Sequence, residues 1–184
     1  MKNTTIPPPA RRQRGMTLVE IMMVIGIIGI TLTLGVPSMV SMVDDMRLSS
    51  SANDYLGFLN LARSEAGKRG LRITVCASSD FINCSAPASQ NWAVGALAFM
   101  DTNSDGVVNN SEAVVRVLDA MPPGVTVIAA TATVGANNGF FRYIASGSAD
   151  SVRSFVICKT GRAARNVSVS LPGRASVATG ATCP

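Results

Sequence analysis

The hydrophobic pattern begins with an almost unbroken apolar run. MTLVEIMMVIGIIGITLTLGV, Met16 to Val36, is 21 residues long with Glu20 as its only charge. As a helix rising about 1.5 Å per residue it spans about 31 Å, close to the thickness of a bilayer core. Beyond Pro37 the pattern turns amphipathic. Val40, Val43, Leu48, Ala52, Tyr55, Leu56, Leu59, Ala62 and Ala66 step mostly by three and four, which puts them on one helical face, and Gly70 reads as the C-cap. The predicted element is one long helix from about Met16 to Arg69, with residues 16–36 in the membrane and residues 37–70 continuing as an amphipathic segment. From Leu71 the period falls to two. Leu71, Ile73 and Val75 alternate with polar neighbours, and similar runs recur at 92–100, 113–120, 124–134, 140–145, 152–158 and 165–171. The pieces DTNSDG, PPG, GANNG and SGSAD join them as turns. Residues 71–184 therefore read as a β-rich globular domain, an antiparallel sheet or small sandwich packed on the helix, in an α+β fold. Trp92, Phe99, Phe140, Phe141, Tyr143 and Phe155 fall inside the strand runs and are assigned to its core.

Composition changes this picture mainly by exclusion. A chain of 184 residues with 47% apolar content fits one globular unit plus an extra segment, and argues against intrinsic disorder. There is no histidine. A Ser-His-Asp or Cys-His nucleophile, a His-ligated catalytic zinc and a haem on a proximal His are thereby excluded. A membrane-tethered enzyme of another kind would need a cleft with a perturbed acid or base, and Asp119, Asp150 and the serines form no sequence constellation for one. The net charge of +5 is unevenly spread. Lys2, Arg11, Arg12 and Arg14 precede the apolar run with no acid among them, while Asp44 and Asp45 follow it. By the positive-inside rule the N-terminus stays in the cytoplasm and the globular domain lies outside. A secretory signal would end in a small-residue cleavage site, whereas this apolar core runs straight on into a helical pattern.

Glu20 is the unusual residue, because a carboxylate in an apolar helix costs a few kcal/mol on insertion scales and calls for a partner. A plain membrane anchor does not need it. The stretch RRQRGMTLVEIMMVIGIIG resembles the class III leader of type IV pilins and type II secretion pseudopilins. The resemblance implies a leader of residues 1–15 removed by prepilin peptidase after Gly15, and methylation of the new N-terminus at Met16. It also implies a role for Glu20 in assembly, meeting a neighbouring subunit's terminal amine, and Pro37 stands where pilin helices commonly bend. The family usually has Phe where this chain has Met16. LARSEAGKRG, residues 61–70, further resembles the minor-pilin subgroup called GspH, FimT or FimU; an amphipathic helix end with Arg63 and Glu65 in solvent explains the same residues without any activity. The function implied is a structural minor pilin or pseudopilin, stored in the bacterial inner membrane with a periplasmic domain and extracellular once in the filament. Its partners would be other major and minor pilins, in a type IV pilus or a type II secretion filament.

Cys76, Cys84, Cys158 and Cys183 all lie in the part expected to face outward, where disulfides persist. Of three possible connectivities, Cys76 with Cys84 and Cys158 with Cys183 is the most economical. A zinc held by all four is the competing reading, without any C-x-x-C spacing to support it. Residues 101–112, DTNSDGVVNNSE, fit the EF-hand string, with Asp101, Asn103, Asp105, Asn109 and Glu112 at ligand positions and Gly106 at the turn. The flanks read as strands where an EF-hand needs helices, and Asp, Asn and Gly suffice for a metal-free hairpin. No cofactor is required by the sequence, and calcium is the ion this loop suggests.

Residues 151–184 carry Arg153, Lys159, Arg162, Arg165 and Arg174 and no acid. Lys159, Arg162, Arg165 and Arg174 are expected on or beside two turns flanking a strand, where they would reach phosphates or pack against another subunit. Some members of the resembled subgroup bind DNA in natural transformation through a C-terminal GRxR motif. Here Gly161-Arg162 is followed by Ala163, Ala164 and Arg165, one residue longer, and Gly173-Arg174 lacks the second arginine.

Overall fold

The computed structural model describes residues 15–85, 91–109, 112–131 and 139–184. The basic residues of the leader, the far end of the expected 124–134 strand and most of the GANNG turn lie outside the described residues. The chain forms two units that divide within one helix, the first ending at Ser41 and the second comprising Met42–Pro184.

The helix, α1, spans Leu18–Arg69 and is continuous through position 37. Thr17 starts it, its hydroxyl and its carbonyl both accepting from the Glu20 N–H at 3.3 and 3.1 Å. Thr17 and Glu20 together form the T-x-x-E string of a capping box. Gly70, at φ 63°, ends the helix by adopting the left-handed conformation that glycine reaches without strain.

In the first unit the described apolar side chains are exposed. Ile25, Ile27 and Ile30 are each more than 60% exposed. A stretch of the helix is long and apolar enough to cross a membrane, and none of it is buried. The second unit is packed differently. Leu48, Ala52, Tyr55, Leu59, Ala62 and Ala66 are fully buried. They step by four and three in alternation, which holds them on one face. Val43, expected on this face, is exposed, so the packing begins at Leu48.

Among the described residues eight strands follow: β1 Ile73–Ala77, β2 Ala96–Met100, β3 Val114–Leu118, β4 Thr126–Thr131, β5 Phe140–Tyr143, β6 Arg153–Cys158, β7 Ala163–Val169 and β8 Ala175–Thr182. They form two four-stranded sheets, ordered β3-β2-β1-β5 and β4-β6-β7-β8, and every strand pair is antiparallel. Two expectations are corrected. The run expected as a strand at 92–100 starts with a short 3-10 turn, Trp92–Val94, capped by the Asn91 side chain, and only then enters β2. The last strand, β8, was not among the expected runs.

Both sheets contribute to one core with the helix. Phe155 of β6 lies 5.2 Å from Tyr55 of the helix, 5.1 Å from Trp92 and 6.0 Å from Phe141 of β5, ring centre to ring centre. Tyr55 closes the cluster by donating its hydroxyl to the Trp92 carbonyl at 3.0 Å. A smaller cluster of Cys76, Leu97 and Phe99 occupies the other face of the first sheet, packed against Cys84, Val108 and Phe140. This explains why β1 is buried on both faces and reads Ile73–Ala77 without an exposed position.

Candidate functional site

The residues with candidate roles separate into three places. At the start of the helix, Gly15 and Met16 precede the Thr17 cap and are exposed, and Glu20 sits in the first helical turn. A carboxylate there is favoured by the helix dipole and by the unpaired N–H groups of the first turn. It is also exposed and free of any ion pair in its own chain among the described residues.

The second place is where the C-terminal segment meets the helix. Lys159 Nζ stands 2.5 Å from Asp44 Oδ1, and Arg162 Nη1 stands 3.6 Å from Asp45 Oδ2. Arg165 Nε and Nη2 donate to Ser49 Oγ at 3.4 and 3.3 Å, while its Nη1 reaches Thr179 Oγ1 on β8. The hydrogen bond from Lys159 holds the Asp44 carboxyl below its ordinary value. Three of the four cations expected to be a free array are thus turned onto the polar turns of the protein's own helix. Arg174 alone of the four is exposed. The arrangement gives no support to a DNA contact, and it shows what the cations do: they dock the second sheet on the helix just past the apolar stretch.

One of two disulfides braces this docking. Cys158 pairs with Cys183 and Cys76 with Cys84. The first of these bridges ties the chain's end to β6. It is reinforced by the Cys183 N–H donating to the Arg162 carbonyl at 2.7 Å and the Gly161 N–H donating to the Cys183 carbonyl at 3.2 Å. The turn bearing Lys159 and Arg162 is therefore closed at both ends.

Arg63 is the residue the sequence reading placed wrongly. It is not in solvent: its Nε donates to the Gly147 carbonyl at 2.9 Å and its Nη2 to the Pro172 carbonyl at 2.8 Å. One helix side chain thereby grips the turn after β5 and the turn between β7 and β8, which are joined by the Ala149 N–H donating to the Leu171 carbonyl at 2.9 Å. Gly173 is needed here, since a Cβ on it would lie 2.0 Å from the Gly147 carbonyl oxygen. The signal for this contact was only the arginine's position in a helix that was otherwise read as solvent-facing at that point.

The third place is the connection between β2 and β3. Asp101 is buried, Asp105 exposed and Glu112 buried, and one carboxylate oxygen from each lies within 4.8 Å of the others. Strands, not helices, flank them.

Comparison with known proteins places these features. Residues 51–173 match the family described as type II transport protein GspH, and residues 10–36 match the prokaryotic N-terminal methylation motif. The chain belongs to the GspH family. It is a minor pilin or pseudopilin subunit, a structural protein whose kind assembles with other pilins in filaments. It is membrane-anchored, with a periplasmic domain. Among solved structures, the type IV minor pilin FimU of Pseudomonas aeruginosa has the same fold. It is 21% identical, with a TM-score of 0.58, and the match covers 78% of this chain and 99% of that one. The minor pseudopilin EpsH from the type 2 secretion system of Vibrio cholerae is 13% identical over 73% of this chain and 97% of its own, with a TM-score of 0.45. No curated protein matches the sequence.

Proposed function

We propose that this GspH-family subunit is cut by prepilin peptidase after Gly15, methylated at Met16, and held in the inner membrane by residues 16–36 until it is drawn into a filament. The N-terminus faces the cytoplasm before cleavage, as the basic leader favours. The observation that carries this reading is the uncovered apolar helix ahead of a fully packed domain. A helix that is apolar on all sides must be covered by lipid or by neighbouring helices, and the described apolar side chains of this stretch are exposed. Glu20 supplies register. In lipid its charge is costly alone, so pairing with an adjacent subunit's terminal amine favours the assembled state over the stored one.

The test is Glu20→Ala in the full-length chain, read in two fractions. The variant should remain in the membrane, processed at Gly15 and bearing a methyl group on Met16 by mass spectrometry, but be missing from sheared filaments. Incorporation at the native level would sink the role given to Glu20. An unprocessed chain in the wild type would sink the cleavage reading.

A further inference from the structure

We propose that the connection between β2 and β3 binds one calcium ion through Asp101, Asp105 and Glu112. This does not rest on the filament reading above. It starts from an unpaired atom. Asp101 is 1% exposed, and its Oδ1 has no hydrogen-bond partner among the described residues. Its other oxygen, Oδ2, is fully employed: it accepts from Thr74 Oγ1 at 2.6 Å, from the Gly106 N–H at 3.2 Å and from Arg142 Nε at 3.1 Å. A buried carboxylate oxygen with nothing to accept from is costly. A cation among these carboxylates removes that cost.

The surroundings fit a divalent cation with hard, oxygen-only ligands. Three carboxylates converge within 4.8 Å. Of the cations nearby, Arg142 touches Asp101 and donates to the Ser104 carbonyl, and Arg72 donates to Ser104 Oγ. The one guanidinium paired with the carboxylates leaves a local charge near that of a divalent ion's counterpart. Zinc prefers nitrogen and sulfur donors, which the cluster lacks; magnesium demands a near-ideal octahedron that a loop of mixed carboxylates does not impose. Calcium accepts six to eight oxygens in irregular geometry.

The loop is already shaped for this. Asn103 Oδ1 accepts from the Asp105 N–H at 3.1 Å and Asp105 Oδ1 from the Val107 N–H at 2.8 Å, while the Asn103 and Asn109 amide nitrogens donate to Asp105 Oδ2 at 2.8 and 3.0 Å, so Asp105 is held in place within the loop. Glu112 is braced by the Thr102 N–H at 2.8 Å and the Asn109 N–H at 3.1 Å. Gly106, at φ 75°, lies so close to the Phe140 ring that a Cβ would sit 2.6 Å from it, which fixes the turn against the sheet. The ion would pin this connection, together with Val108, over the cluster of Cys76, Leu97 and Phe99.

The experiment is calorimetric titration of the detergent-solubilised full chain, stripped with chelator, against calcium chloride and separately against magnesium chloride. One calcium should bind with Kd between about 10⁻⁵ and 10⁻³ M, and magnesium at least about tenfold more weakly. Asp105→Asn keeps an acceptor for the Val107 N–H on an exposed side chain, so it should fold as the wild type does while losing at least about tenfold in calcium affinity. The near-ultraviolet signal of Trp92 reports that folding. No saturable binding up to about 10 mM would overturn the proposal and leave water as the partner of Asp101 Oδ1. Unchanged affinity in both Asp105→Asn and Glu112→Gln, or equal binding of magnesium, would overturn the assignment as well.

Discussion

Replacing Arg63 with alanine tests the claim that one helix side chain holds the two turns together. The substitution removes two charged hydrogen bonds, at 2.9 Å to the Gly147 carbonyl and 2.8 Å to the Pro172 carbonyl. A hydrogen bond to a charged group contributes about 1.5–3 kcal/mol net when buried and less where water competes. The first bond here is partly buried and the second exposed, so the sum is about 2–4 kcal/mol. At a urea dependence of about 2 kcal/mol per molar, the midpoint should fall by about 1–2 M. Arg63→Lys should recover less than half, because an ammonium lacks the planar fork that meets two acceptors at once. Gly173→Ala pushes the same acceptors apart, so the double variant should lose less than the two single losses added together. Urea denaturation of the full chain in detergent, followed by near-ultraviolet circular dichroism, measures all of these. A loss below about 0.5 kcal/mol for Arg63→Ala, or a lysine variant indistinguishable from wild type, would refute the reasoning.

Two further outcomes follow from the docked C-terminal segment. The bridge between Cys158 and Cys183 closes a loop across a separation of 25 residues, so replacing both cysteines with serine should cost about 3.5 kcal/mol by the chain-entropy argument. A change under about 1 kcal/mol in the same denaturation assay would mean that the hydrogen bonds of the turn suffice without it. Acid should weaken the helix contact: the Lys159 hydrogen bond holds Asp44 below its ordinary 3.8, so its contribution is present above that pH and is lost as pH falls through the lowered value. The stability difference between wild type and Lys159→Met should therefore be constant from pH 7 to about pH 5 and shrink below pH 4; a difference that persists unchanged to pH 2 would contradict the pairing.

What the sequence determined alone was the part whose physics is local. A run of 21 residues with a single charge can only be a lipid- or neighbour-covered helix, and the step of three and four from Leu48 to Ala66 dictates a buried face whatever packs on it. The string from Arg11 to Gly29 carried the family resemblance, and the period of two in β1 and in β4 to β7 carried the sheets. The T-x-x-E string at Thr17 and Glu20 is local in the same way, and it starts the helix.

Tertiary structure decided the rest, because there the partners are distant in the chain. β8 has Val177 as its one apolar side chain larger than alanine and contains Gly180, so Ala175–Thr182 carries little strand signal of its own; it forms because β7 offers an open edge and Cys183 anchors its end. The basic segment read as a surface array because charge counts carry no direction, while the fold sets Lys159 and Arg162 against Asp44 and Asp45, more than a hundred residues earlier. Arg63 acquired its acceptors only when the turn after β5 and the turn between β7 and β8 met beside it. The EF-hand string named its ligands without its helices. Only the folded loop showed that three of those carboxylates converge, and that one of them, Asp101, keeps a buried oxygen without a partner among the described residues while Thr74 and Arg142, arriving from other strands, occupy its second oxygen.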